Sequence, residues 1–477
     1  MIAALKGLAV NPAAPAGVLL RLLEPAYAEV WNALCLERPE MPDAVVDAIV
    51  VHPEPRVRTA FARNPHVDGE LRGRLVDDPD WLVRAHLAGG PERKWGPRHL
   101  PDWVIDRMYT TYEGDCLAEL MSSRQVPLRV LLANSVHPMA SVRRYGVGMW
   151  SSLSEERRAA LLVDPHPAVR ESAERHLAED DEEEMERQLR RLPPHVSHAR
   201  SHILVNCRLS RAVVDELLLR RDEDDHWVLA HNYSTPPAVV ALMARSPEPK
   251  VRLEVARRKV LARELVGLLA QDPDPRVRTA VSVRPEVTEA ERAAIDYAVS
   301  VDEDFEPAEY HRSVPACYAR SAHPLLRRRA AEDPELPADL ARLLAEDDDI
   351  GVRVLLAQNH PAAPPQLLLR SYLEYTGRSR SHLTGLPHFP TAGLAARFAD
   401  AEDPAVRRLA TLDPELDPSL ADRLTRDPDP GIRAAAARHP QLPPERLLAL
   451  LDDEETALDA AANHALPRPV MNRLLDA

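Results

Sequence analysis

A chain of 477 residues with forty-five prolines, sixteen glycines, 4% aromatic residues and a formal net charge of −15 excludes several classes of protein. The acidic balance argues against bulk attraction to nucleic acid or an anionic membrane, though 60 lysines and arginines leave room for a local basic groove. Cys35, Cys116, Cys207 and Cys317 are scattered, so they read as small buried hydrophobes rather than a disulfide framework or a zinc motif.

From the N-terminus, MIAALKGLAVNPAAPAGVLL lacks the layout of a signal peptide and already matches later material, AVNPAAP against ARNPHVD. No apolar run approaches membrane-spanning length, so the chain reads as cytoplasmic. Met1 to about Gly89 holds four units, anchored near Ala4, Trp31, Val57 and Val83. The rhythm then slips, because 83 to 116 is 33 residues, and the extra material carries Trp95, Trp103, Tyr109 and Tyr112. Units at 116, 142 and 169 follow, then a surplus that includes the acidic run Glu179 to Glu184, read as a solvated helix start or loop. After units at 199, 225, 251 and 277 comes a disturbed zone with Tyr297, Phe305, Tyr310 and Tyr318. Units resume at 326 and 352, a last irregular patch carries Tyr372 and Tyr375, and units at 406, 432 and 458 run to the end. The expectation is one continuous array over 1–477 with irregular insertions near 89–113, 178–195, 296–323 and 371–390, and no separate C-terminal domain.

The clearest unit spans Asp427 to Asp453. Asp429-Pro430 reads as an N-cap followed by a first helical residue, where proline loses no hydrogen bond. Ile432, Ala435 and Ala436 form a narrow apolar face, and His439-Pro440 stops the helix. Pro443-Pro444 starts a second helix bearing Leu447, Leu448, Leu450 and Leu451. So short a pair cannot bury its own face and must stack on a neighbour. The steps 406 to 432, 251 to 277 and 57 to 83 are each 26 residues. An all-α solenoid of about eighteen helical pairs on this period is the expected fold.

The pattern D-P-x-V-R-x-x-x-A-x-N-P-x-x-P-x-x-L-x-x-L, carried by His52 to Leu75 and by Asp403 to Leu424, resembles the leucine-rich repeat variant family, a relative in shape of HEAT-like solenoids. The resemblance implies a right-handed superhelix of paired short helices, one of which is 3₁₀ in some members. The family's best-known form carries an N-terminal cysteine cluster for an iron–sulfur centre. No such cluster exists here, so no cofactor is carried over.

The most conspicuous polar feature is an arginine after each anchor: Arg58, Arg84, Arg143, Arg170, Arg200, Arg252, Arg278, Arg327, Arg353, Arg407 and Arg433. It reads either as a basic groove for phosphates or an acidic partner, or as a structural ladder to Asp272, Asp274, Asp427 and Asp429; the recurrence of both charges in step favours the ladder. His195, His198, His202, His226 and His231 gather near Asp222, Asp224 and Asp225, yet no spacing matches a known ligand motif, so no metal is expected. No Gly-rich phosphate loop or nucleophile elbow appears, and no catalytic residue is assigned. The irregular segments hold seven of the ten tyrosines, as local mini-cores or as contact surface. Trp95, Trp103, Tyr109, Tyr112, Tyr372 and Tyr375 are the residues nominated for contact with an unidentified protein partner. The function expected is a non-catalytic scaffold. The alternative is a HEAT-like nucleic-acid-binding or DNA-repair protein, and an enzyme acting through the histidines at 195–231 is a third possibility.

Overall fold

Helices begin where proline meets an acidic cap. In a computed structural model of the chain, which describes residues 1–92, 98–193, 197–220, 222–300, 316–377 and 380–476, the helices that start on proline include Pro55–Ala62, Pro249–Ala256, Pro275–Ser282, Pro324–Ala331, Pro404–Arg407 and Pro430–Ala437. Asp274, Asp403 and Asp429 each accept a backbone N–H of the first turn, which satisfies an otherwise orphaned donor. The chain is 64% helical, with no strand among the described residues.

Most of the expected apolar anchors lie in the core, but Ala199 is exposed and Leu458 half-buried. Val57, Val83, Val142, Val169, Val251, Val277, Leu326, Val352 and Ile432 are fully buried, and Ala4 and Trp31 nearly so. Val406 is only half-buried, because its helix gives way after Arg407 to the 3₁₀ turn Arg408–Leu412, which buries Leu409 and Ala410 instead. Two expectations need correction. Cys317 is exposed and Cys116 half-buried, so only Cys35 and Cys207 behave as core cysteines. Parts of the irregular segments are regular helix: Asp102–Thr111 buries Val104, Ile105 and Met108, and Glu182–Arg191 buries Met185 and Leu189. Residues 301–315, with Phe305 and Tyr310, lie outside the described residues.

Contacts divide the chain into two compact units. One joins residues 1–172 to 391–477, and the other is residues 173–390. In the first, the helices Pro430–Ala437, Ala457–Ala461, Ile2–Val10, Ala33–Glu37, Pro55–Ala62 and Trp81–Gly89 follow one another as neighbours. The series therefore passes from the C-terminal segment directly to the N-terminal one. The approach is close: a Cβ on Gly7 would lie 2.0 Å from the Leu458 carbonyl oxygen, so only glycine fits. Arg21 also pairs with Asp476 at 2.6 Å, and the Tyr27 hydroxyl donates to the Leu475 carbonyl at 2.5 Å. In the second unit, Pro249–Ala256 packs between Glu223–His231 and Pro275–Ser282 around Val251, Val255, Val277 and Val281.

A ladder of buried side chains welds neighbours together. The last carbonyls of an α-helix have no partner within the helix. Here they accept from the residue at the end of the next helix. Asn463 Nδ2 donates to the carbonyls of Ala437 and His439, both at 2.8 Å. Asn11 donates to Ala461 and Asn463, both at 2.7 Å, and Arg38 to Ala9 and Asn11 at 2.9 and 2.8 Å. Asn64 then reaches Cys35 and Arg38. In the second unit Asn232, Arg258 and Arg284 repeat the pattern.

Candidate functional site

Most of the arginines after the anchors turn to aspartates and backbone carbonyls rather than to open solvent. Arg252 Nε and Nη2 grip both Asp272 oxygens at 2.7 and 2.8 Å, while Nη1 donates to the carbonyls of Ser246 and Pro247. Arg278 then donates to the carbonyl of that same Asp272 at 2.6 Å. The relay recurs as Arg58–Asp78–Arg84, Arg143–Asp164–Arg170, Arg327–Asp347–Arg353 and Arg407–Asp427–Arg433. Asp274 and Asp429 serve instead as helix caps. The guanidinium beside Asp164 and the one beside Asp427 hold those carboxyls below the ordinary aspartate range, despite the opposing effect of burial. Bidentate, sunken guanidinium groups are poorly placed to meet phosphates. Arg278→Ala and Arg433→Ala are each expected to lower stability by about 1.5–3 kcal/mol, the range for hydrogen bonds to charged groups. Thermal denaturation checks this, and an unchanged midpoint in both variants refutes it.

A groove of about 680 Å³ opens in the unit formed by 1–172 and 391–477. Val10, Ala33, Leu458 and Ala462 supply apolar lining, drawn from helices on both sides of the junction between the chain's two segments. Lys6, Arg438 and His464 supply positive or basic groups, and Glu29 and Glu37 negative ones. Arg438 is held by Asp459 at 2.6 Å, whereas Lys6, Glu29 and Glu37 are exposed. The arrangement offers charges of both signs around a small apolar strip.

The nominated aromatic residues are placed differently from expectation. Tyr109, Tyr112, Tyr372 and Tyr375 are buried, which corrects their reading as contact surface. The polar tips of Tyr109 and Tyr112 find partners inside the fold, which offsets the cost of their burial. Tyr109 Oη accepts from Asn134 Nδ2 at 2.9 Å, and Tyr112 donates to the Val76 carbonyl at 3.1 Å. Tyr372 packs edge-on against Phe389 with the Arg380 guanidinium over its ring. Trp103 is half-exposed and donates to Glu70 at 2.8 Å. Trp95 lies outside the described residues.

Nor do the histidines and aspartates of 195–231 converge on one point. His195 lies outside the described residues. Asp222 caps the helix Glu223–His231, and His231 pairs with Glu254 at 2.7 Å while stacking on Trp227. His202 turns elsewhere, with Nε2 3.3 Å from Glu179 Oε1. The ligand atoms of Glu179, His202 and Cys207 all lie within 4.8 Å of one another. Burial pushes the Cys207 thiol up to about 12, and the negative charges of Glu179 and Asp180 add to the effect. Sequence reasoning missed Glu179, which it placed in a solvated run, and Cys207, which it read as packing. The signal available was an acid, Glu179, followed about one repeat later by His202 and Cys207.

Residues 430–455 match the family model described as leucine rich repeat variant. The helical structure is consistent with a HEAT-like helical repeat protein. No curated protein matches the chain.

Proposed function

We propose that this chain is a non-catalytic helical-repeat scaffold that binds another protein through the groove lined by Lys6, Glu29, Glu37 and His464. The carrying observation is the groove itself: about 680 Å³, apolar at its strip, charged in both signs around it, and made of successive helices. A matched repeat of the leucine-rich-variant kind supports the reading, because stacked repeats present extended surfaces without needing a reaction centre. The period belongs to the same reading. Ladder partners Asn64 and Arg38, Arg258 and Asn232, Arg284 and Arg258, and Asn463 and Ala437 are each 26 residues apart, which suits an array of about eighteen pairs. A nucleic-acid reading would require free guanidinium groups in a groove, and the ladder arginines are spent on aspartates and carbonyls.

Affinity capture from the native host tests the proposal, run in parallel on wild type, Lys6→Glu and Glu37→Lys. A partner retained by wild type and lost from both variants, with far-ultraviolet circular dichroism unchanged, is the expected result. Equal retention by all three proteins, or retention of oligonucleotide in its place, overturns it. A true anchor lost from an interface costs about 2 kcal/mol or more, roughly thirty-fold in affinity, so the contrast is large enough to read.

A further inference from the structure

We propose that Glu179, His202 and Cys207 form a binding site for a divalent transition-metal ion of the zinc class, with solvent in the fourth position. The three side chains offer one oxygen, one nitrogen and one sulfur. A soft sulfur beside an imidazole and a carboxylate selects zinc-like ions and disfavours magnesium or calcium, which take oxygen alone. Tetrahedral bonds of about 2.0–2.3 Å place donor atoms roughly 3.3–3.7 Å apart. The observed 3.3 Å between His202 Nε2 and Glu179 Oε1 falls in that range. Cys207 Sγ lies within 4.8 Å of both, so the three donors face one common point.

The backbone under the donors is fixed. Glu179 stands just beyond the helix Pro167–Ala178, where its carbonyl accepts the Arg208 N–H at 2.8 Å. Cys207 ends the helix His198–Asn206, and its carbonyl accepts from Asn232 Nδ2 at 2.8 Å. These are outer partners of the kind that orient ligands. Asp180, held by the Tyr233 hydroxyl at 2.6 Å, adds negative charge beside the sulfur. Without a cation the cluster is an exposed His202–Glu179 pair above an inert thiol. With one, the thiolate forms as its proton leaves to solvent, and the ion staples the turn after Pro167–Ala178 to the helix His198–Asn206.

The test uses the full chain, stripped with a chelator and then titrated with zinc(II) and, separately, cobalt(II). One equivalent of zinc is expected. Cobalt(II) should give a thiolate charge-transfer band together with the intense visible absorption of a tetrahedral ion. Cys207→Ser should abolish that band, and His202→Ala should weaken zinc binding by more than the roughly 10–100-fold typical of an outer-shell loss. His202 is about half exposed, its side chain showing 53% of its surface, so its truncation leaves the fold intact and keeps the test open if Cys207→Ser unfolds. Cobalt binding without a thiolate band, or equal zinc affinity in wild type and His202→Ala, overturns the proposal.

Discussion

Replacing Arg252 with alanine is expected to destabilise the 173–390 unit by about 3–5 kcal/mol, the cost of breaking a buried ion pair from one side. The Arg252 and Asp272 side chains are only 10% and 4% exposed. Truncation would leave the carboxylate with the Asp274 N–H at 2.9 Å but no countercharge, and would orphan the carbonyls of Ser246 and Pro247. An exposed pair provides the contrast. Arg211–Asp215, 70% and 48% exposed, is worth at most about 1 kcal/mol. Because attraction in a buried pair roughly offsets desolvation, Arg252→Leu combined with Asp272→Leu should cost less than Arg252→Ala alone. Denaturant unfolding measures both. A single-mutant loss below that of Arg211→Ala would show that the pair does not hold neighbouring repeats together.

Acidification from pH 6.5 to pH 5 is expected to lower the stability of the same unit by about 1.5 kcal/mol through His323 alone. This imidazole is fully buried, with Nε2 2.8 Å from Ser282 Oγ, Nδ1 accepting the Leu325 N–H at 3.1 Å, and its ring stacked on Tyr297. Burial, reinforced by Arg292, Arg327 and Arg328, pushes its pKa down from 6.5 to about 3. Below 6.5 the unfolded chain takes up a proton that the folded chain refuses until about 3. The unfolded state is therefore favoured as pH falls through this window, and above 6.5 the group has no effect. Carboxylates titrate mostly below pH 5, which separates the two contributions. The slope should vanish in His323→Gln; a flat wild-type profile would refute the expectation.

How far the sequence carried depended on whether a feature is local. Asp429 and Pro430 cap and start their helix as read, and Ile432 and Ala436 are buried as read, because those choices are decided within one turn. The arginine–aspartate register was also visible, since both partners recur in step. His439-Pro440 read only as a helix stop, yet its histidine, like others that precede proline, bonds neighbouring backbone. His52, His360 and His439 each accept a backbone N–H with Nδ1 and sit within 3.0 Å of an earlier carbonyl with Nε2. That network assigns the Nε2–H tautomer, which no spacing reveals. The buried tyrosines were misjudged because partners such as Asn134 and Val76 are distant in sequence. The same distance hid Glu179 from Cys207.

The helix Ile2–Val10 is synthesised long before the helix that covers it. Its neighbour Ala457–Ala461 lies at the other end of the chain, and Asn11 bonds the Ala461 carbonyl across 450 residues. Ribosomes add about 5–20 residues per second, so the apolar edge around Gly7 and Leu8 waits on the order of 20–90 s for its cover. Helical repeats ordinarily close neighbour by neighbour and fold fast. This contact obliges the nascent chain to keep an unfinished edge from sticking to others until residues 457–461 have emerged. Over that interval the edge is open to aggregation, and a holding chaperone would protect it.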